Sequence, residues 1–215
     1  MRANRNELTD EIFQTYVLLA FSIGAYLFGA QVLLPASFLF LGIVISFILI
    51  FVIYVTQAPI YLFLFSFIVG TSHNPMFEYL NVVDPGIIMQ ALILSFLVLI
   101  GLTIIAFKTK TYYTFAICGF LYTCLSTILW LSILNLFVQN SLLDILLTYF
   151  SIVIFSGYII FDTHNLLESP NNTPVTHALQ LFLDFINLFI NLVKLLRHLK
   201  KKNKYLIFCI FYIKN

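Results

Sequence analysis

Long apolar runs separated by short polar punctuation make up most of this chain. Residues 12–77 contain no Asp, Glu, Lys or Arg, and neither do 85–107, 111–143 or 145–161. Crossing about 30 Å of hydrocarbon takes about 20 helical residues, and the runs divide into segments of that order. The first covers 12–30, and Pro35 marks a turn before a second over 38–56. Pro59 opens a third over 60–69, which meets the polar stretch Gly70-Thr71-Ser72-His73-Asn74-Pro75. That third run is short for a span. It tilts, begins before Pro59, or continues through Met76 and Phe77. Asp84-Pro85-Gly86 reads as an Asp cap with proline just inside a helix, and the fourth span extends to Phe107. The fifth covers 112–137 and the sixth 142–161, so that Asp162 closes the sixth. A polar connector with Pro170 and Pro174 then leads to an amphipathic stretch over 175–199.

Composition sharpens this pattern into a class. Of 215 residues, 61% are hydrophobic and 9% charged, against about 25% charged in a typical soluble domain. Mean hydropathy is +1.02. So few charges cannot coat a water-soluble surface of this size. Soluble enzymes, nucleic-acid binders and secreted disulfide scaffolds are excluded, and an all-α, polytopic helical membrane protein with a bilayer as its first partner is expected. Residues 12–30 are long enough to span, and Glu7, Asp10 and Glu11 offset Arg2 and Arg5, so the start reads as a span rather than a cleaved leader. Short links predict one bundle domain over 1–215, with a basic, partly hydrophobic tail over 200–215. Cys118, Cys124 and Cys209 have no CxxC spacing and read as small hydrophobes. The 24 phenylalanines read as lipid-facing bulk.

Charge placement bears on orientation. Arg2, Arg5, Lys108 and Lys110 mark the cytoplasmic side, and the 71–86 loop, with Glu78 and Asp84 but no basic residue, marks the far side. Seven of the eleven basic residues lie from Lys194 onward, which suits a membrane surface or a polyanion. A seventh full span would carry Lys200, Lys201, Lys202 and Lys204 to the far side, against the positive-inside rule. Either the last helix enters and returns, or the preceding spans overrule its charges; six or seven transmembrane helices both stand. Tyr205 to Ile213 is too short to cross a bilayer.

The chemistry concentrates on the last helix. Gln180, Asp184, Asn187, Asn191, Lys194 and His198 follow offsets of 4, 3, 4, 3 and 4 and share one narrow stripe, opposite Leu, Phe, Ile and Val. The front of the stripe is one acid and uncharged amides rather than lysines. That predicts a central last helix whose polar line, Gln180, Asn187 and Asn191, lines a pore; a surface amphipathic helix is the alternative. Asp184 lies six residues inside this helix, where an acid marks an ion path, a proton relay or a buried pair. Asp162 is the partner on the same membrane side. Asp144 lies 18 residues, about 27 Å of straight helix, earlier and joins Glu78 and Asp84 as far-side acids. Two carboxylates in low dielectric do not readily ionise together. A shared proton bonds them, and its loss makes them repel or take up a cation. The plainer alternative leaves Asp162 bonded to backbone or to His164.

The segment Gly157-Tyr158-Ile159-Ile160-Phe161-Asp162-Thr163-His164, followed by Asp184-Phe185-Ile186-Asn187-Leu188-Phe189, resembles the closing signature of the transmembrane Bax inhibitor motif family. Gln90-Ala91 and the helix before Lys108 are similar to the family's fourth span. The resemblance covers nearly the whole chain and implies six helices around a central seventh, and a pH-sensitive calcium leak gated by Asp162 and Asp184. It further implies a role in stress or cell-death responses, with a plasma-membrane location in bacteria and an endoplasmic reticulum or Golgi location in a eukaryotic or viral setting. Some bacterial relatives carry a basic residue in the second helix that engages the aspartates. Here that helix has none, and Gln57 is the nearest strongly polar group.

Calcium prefers oxygen ligands, and the acids are few enough that binding would be transient, as conduction requires. Protons and calcium are thus the expected small partners, with no cofactor and no nucleic acid. A proton-coupled carrier and a regulatory protein acting on other membrane proteins are the alternatives. No enzymatic activity is expected. Asp162 lacks the Gly-x-Gly-Asp context of intramembrane aspartyl proteases, and His73, His164, His177 and His198 form no zinc motif.

Overall fold

The computed structural model describes the backbone of residues 5–33, 35–108, 111–168 and 173–213, and side chains within 7–33, 35, 41–108, 117–168 and 173–201. Seven helices follow one another: α1 Arg5–Gly29, α2 Ala36–Thr56, α3 Pro59–Val83, α4 Gly86–Lys108, α5 Thr111–Val138, α6 Ser141–Glu168 and α7 Pro174–Ile213. Among the described residues, all but α2 present an apolar stretch long enough to cross a membrane; the described part of α2, Leu41–Thr56, is shorter. The chain is an all-α integral membrane protein. Phe21, Phe47, Phe51, Trp130 and Phe137 are exposed, whereas Phe65, Phe182, Phe185 and Phe189 are fully buried. The phenylalanines therefore divide between a lipid-facing surface and the protein core.

Three boundaries differ from the sequence expectation. From Gly70 onward, where both a loop and a helical continuation through Met76 and Phe77 stood open, the chain is helical, and α3 runs unbroken past them to Val83. Three of its polar side chains there are satisfied within the helix and one reaches the end of α1. Thr71 Oγ1 and Ser72 Oγ donate to Ile68 O at 2.8 and 3.1 Å, His73 Nδ1 lies 2.8 Å from Val69 O, and Asn74 Nδ2 donates to Ala30 O at 2.9 Å. Pro75 inside α3 removes one backbone donor, which such neighbours make tolerable. Second, α6 continues past Asp162 to Glu168, so Asp162 sits within the helix rather than at its end. Third, α7 passes 199 without a break and extends to Ile213, making the 205–213 tail a helical continuation. The side chains of Lys202, Lys204 and that tail, and the residues Arg2, Lys110 and Pro170, lie outside the described ones.

The chain forms two compact units, Met1–Pro85 with Ile160–Asp184, and Gly86–Ile159 with Phe185–Asn215. In the first, α3 packs against α1 and α2. The α1–α3 crossing is backbone to backbone: a Cβ at Gly29 would meet Phe67 O at 2.2 Å, and one at Gly70 would meet Tyr26 O at 2.1 Å. Only glycine permits that approach, the small-residue solution to helix packing in lipid. Tyr26 fills the space beside the crossing, 0% exposed, with ring centroids 5.7, 6.2 and 6.3 Å from His73, Phe77 and Phe182. In the second unit, Phe96 of α4 meets Phe185 of α7 at 5.0 Å, and Gly157 of α6 brings its backbone against Leu121 of α5.

Candidate functional site: a buried aspartate pair

The final turns of α6 and the first turns of α7 both belong to the first unit. Helix α7 starts at Thr173-Pro174. Pro174 occupies a first-turn position where no N–H is needed, and Thr173 Oγ1 accepts from Thr176 N–H at 3.4 Å. From that start the helical period carries His177, Gln180 and Asp184 along one face. Asp184 is 5% exposed and Asp162 6%. Their carboxyl groups lie within hydrogen-bonding reach of each other. Asn165 Nδ2, one turn beyond Asp162 on α6, donates to Asp162 Oδ1 at 3.5 Å. Asp162 is thus paired through its side chain with Asp184. His164, two residues on, places Nδ1 4.0 Å from Glu168 Oε1.

A second constellation ties α2 to this region, and the sequence pattern gave it little weight. Gln57 ends α2 in the left-handed conformation, with φ 53°. Its Nε2 donates to Tyr54 O at 2.8 Å, closing the helix end. Its Oε1 accepts from the hydroxyls of both Thr173 and Thr176, the latter at 2.8 Å. One amide therefore caps α2 and holds the first turn of α7. Tyr54, on the same last turn of α2, is within electrostatic reach of Asp162. The only signals for this knot in the sequence are a polar residue directly after an apolar run and the Thr-Pro start of α7; their pairing across more than a hundred residues was not legible.

The surroundings are polar but sparsely bonded. Thr163 Oγ1, His177 Nδ1, Gln180 Oε1 and Asp184 Oδ2 are buried without a hydrogen-bond partner in the protein. Such groups are otherwise costly to bury, so this part of the first unit is chemically suited to water or a cation. Among the described residues no three His, Cys, Asp or Glu side chains converge, so a cation would meet two carboxylates and neutral oxygens.

The other predicted positions are distributed differently. Asn187 and Asn191 are half-buried on α7 in the second unit, and Asn191 Nδ2 donates back to Asn187 O at 2.8 Å. Glu78 is exposed on α3, and Asp84 caps that helix, its N–H bonded to Leu80 O at 2.8 Å. Glu78 stands 19 residues beyond Pro59, about 28 Å along α3 from the Gln57 end, so the structure does not bring it to the pair. Asp144 lies near the start of α6 in the second unit, beside a separate cavity.

Comparison with known proteins agrees with the architecture. The family described as Inhibitor of apoptosis-promoting Bax1 matches residues 9–203. An uncharacterised protein of Campylobacter jejuni is 32% identical over 209 residues, covering 89% of this chain and 90% of the relative. Bax inhibitor 1 of Schizosaccharomyces pombe is 31% identical over 147 residues, 67% of this chain and 53% of that protein. The Golgi anti-apoptotic protein of vaccinia virus is 34% identical over 121 residues, 55% of this chain and 50% of that protein. The chain thus spans about half the length of these two named relatives. With nearly its whole length matched by the family and six helices apolar and span-length among the described residues, this chain belongs to the Bax inhibitor family of polytopic membrane proteins.

Proposed function

We propose that this protein is a pH-sensitive, calcium-permeable leak channel without enzymatic activity, gated by Asp162 and Asp184. The observation that carries the reading is the pair itself: two carboxyl groups buried in contact on two different helices inside an apolar protein. With one proton between them, the carboxyl groups bond α6 to α7 and the path is closed. When that proton leaves, two adjacent anions repel in a medium of low dielectric, and the helices part or admit a cation.

Helix α7 is the inner wall in this reading. Its support is burial: 61% of its apolar window is inside the protein, the largest share among the span-length helices, against 6% for α5. Gln180, Asn187 and Asn191 continue the polar line away from the pair and supply the neutral oxygens that calcium prefers. With only two acids at the gate, binding is weak enough to permit exit as well as entry.

The test is calcium entry into dye-loaded liposomes containing the purified protein, from about pH 5 to pH 8. Protein-dependent flux that rises with pH is expected. The names of the relatives, Bax inhibitor 1 and Golgi anti-apoptotic protein, favour a second reading in which the protein regulates cell death through other membrane proteins. No protein-dependent flux at any pH decides for that reading.

A further inference from the structure

The start of α6 and the 194–201 stretch of α7 enclose, wholly within the second unit, a cavity of ≈ 660 Å³ in which neither Asp162 nor Asp184 takes part. Lys194, Arg197 and Lys201 line it together with His198. The three permanent cations are spaced three and four residues apart and therefore share one face of α7. One carboxylate, Asp144, opposes them, and Ser141 and Thr148 add hydroxyl groups. The lining is cationic on balance, and Arg with Lys is the side-chain set that binds phosphate oxygens. The end of α6 is not itself the anion site, because Asn140 Oδ1 already accepts the N–H groups of Leu142 and Leu143 at 2.9 and 3.3 Å.

Two observations indicate which phosphate would sit there. Ser141 begins α6 just ahead of its apolar residues, and Lys194, Arg197, Lys200 and Lys201 interrupt the apolar run that α7 carries from Ala178 to Val193, which puts the cavity where hydrocarbon meets water. From its rim, Leu142, Leu146, Phe150 and Val153 run down one face of α6, all more than half exposed. A cationic cavity at the interface continued by an apolar stripe has the shape of a phospholipid. We propose that this cavity binds the phosphate of an anionic lipid headgroup, with the acyl chains laid along the Leu142–Val153 face of α6. Asp144 repels the phosphate and limits the affinity.

The test is native mass spectrometry of the full chain in neutral detergent, supplied with phosphatidylglycerol or phosphatidylcholine. Phosphatidylglycerol should be retained in preference. Lys194→Ala and Arg197→Ala, both changes at exposed side chains, should each weaken its retention about fivefold, the effect of one basic residue near an anionic membrane. Asp144→Asn should strengthen retention, and Lys108→Ala, at an exposed lysine outside the cavity, should leave it unchanged. Equal retention of both lipids overturns the proposal, as does a loss in Lys108→Ala matching that in Arg197→Ala. A soluble source is separated by adding millimolar inorganic phosphate: continued retention supports the lipid, and displacement of the lipid by phosphate overturns it.

Discussion

Adding a single methyl group at Gly70 should pry apart α1 and α3. A Cβ there would stand 2.1 Å from Tyr26 O, 2.9 Å from Tyr26 C and 3.0 Å from Ala30 N. All three are backbone atoms, so no rotamer change can make room. An ordinary carbon–oxygen contact is about 3.3 Å or more, and the helices must separate by roughly 1 Å at the crossing. Overpacking of this kind costs about 1–3 kcal/mol. Alanine returns up to about 1 kcal/mol through its better helix propensity, leaving Gly70→Ala destabilising by about 1–2 kcal/mol at the middle of the resulting range. For a chain of this size that lowers the midpoint by about 2–8 °C. Gly24 and Gly101 have no other atoms within 4 Å of a built Cβ, so Gly24→Ala and Gly101→Ala should be neutral or stabilising by up to about 1 kcal/mol. Gly29→Ala meets Phe67 O at 2.2 Å on the same crossing. Once one substitution has parted the helices, the second should cost less, and the double variant should fall short of additivity. The assay is the heating midpoint for loss of the monomer peak in one detergent. A Gly70→Ala protein as stable as Gly24→Ala would refute the backbone-to-backbone crossing.

Other consequences are simpler to read out. Gln57→Ala removes the acceptor shared by Thr173 and Thr176 and should destabilise by about 1–3 kcal/mol, with faster hydrogen exchange at 173–177 than in the α1–α3 crossing; uniform exchange changes would contradict a local tie. Single cysteines at Phe47, Phe51, Trp130 and Val153, all exposed, should react with a lipid-phase probe, whereas cysteines at Phe182, Phe185 and Phe189 should not. Strong labelling at the latter three would remove α7 from an inner position.

What the sequence made legible follows from periodicity, and what it hid follows from distance. Uninterrupted apolar runs revealed the spans, because a bilayer leaves a helix no other way to satisfy its backbone. The offsets from Gln180 to His198 placed Asp184 on a polar stripe, and the depth of an acid in an apolar helix directed attention to Asp162. Helix ends were harder to read. Gly70 to Pro75 looks like a loop in composition, yet intrahelical hydroxyl and imidazole contacts, together with Asn74 bonding to Ala30, let α3 continue. Asp162 similarly lies inside α6 because a polar run does not by itself terminate a helix. Gly29 and Gly70 carry no pattern that announces their crossing. Likewise, the cluster of Lys194, Arg197 and Lys201 reads as a basic helix end until α6 is seen to close a cavity over it.

The proposed gate depends on a proton shared between Asp162 and Asp184. Replacing either carboxyl group with an amide keeps its shape but removes the second charge that would repel its partner. The most direct measurement is the pH profile of calcium entry into liposomes at matched protein incorporation, comparing wild type, Asp162→Asn and Asp184→Asn with Asp10→Asn, a change at an exposed acid of α1. Flux through wild type and Asp10→Asn should rise from about pH 5 to pH 8, while both pair variants should give flat profiles, with lower maximal flux where cation attraction is lost. An unchanged, steep profile in both Asp162→Asn and Asp184→Asn would contradict the gate.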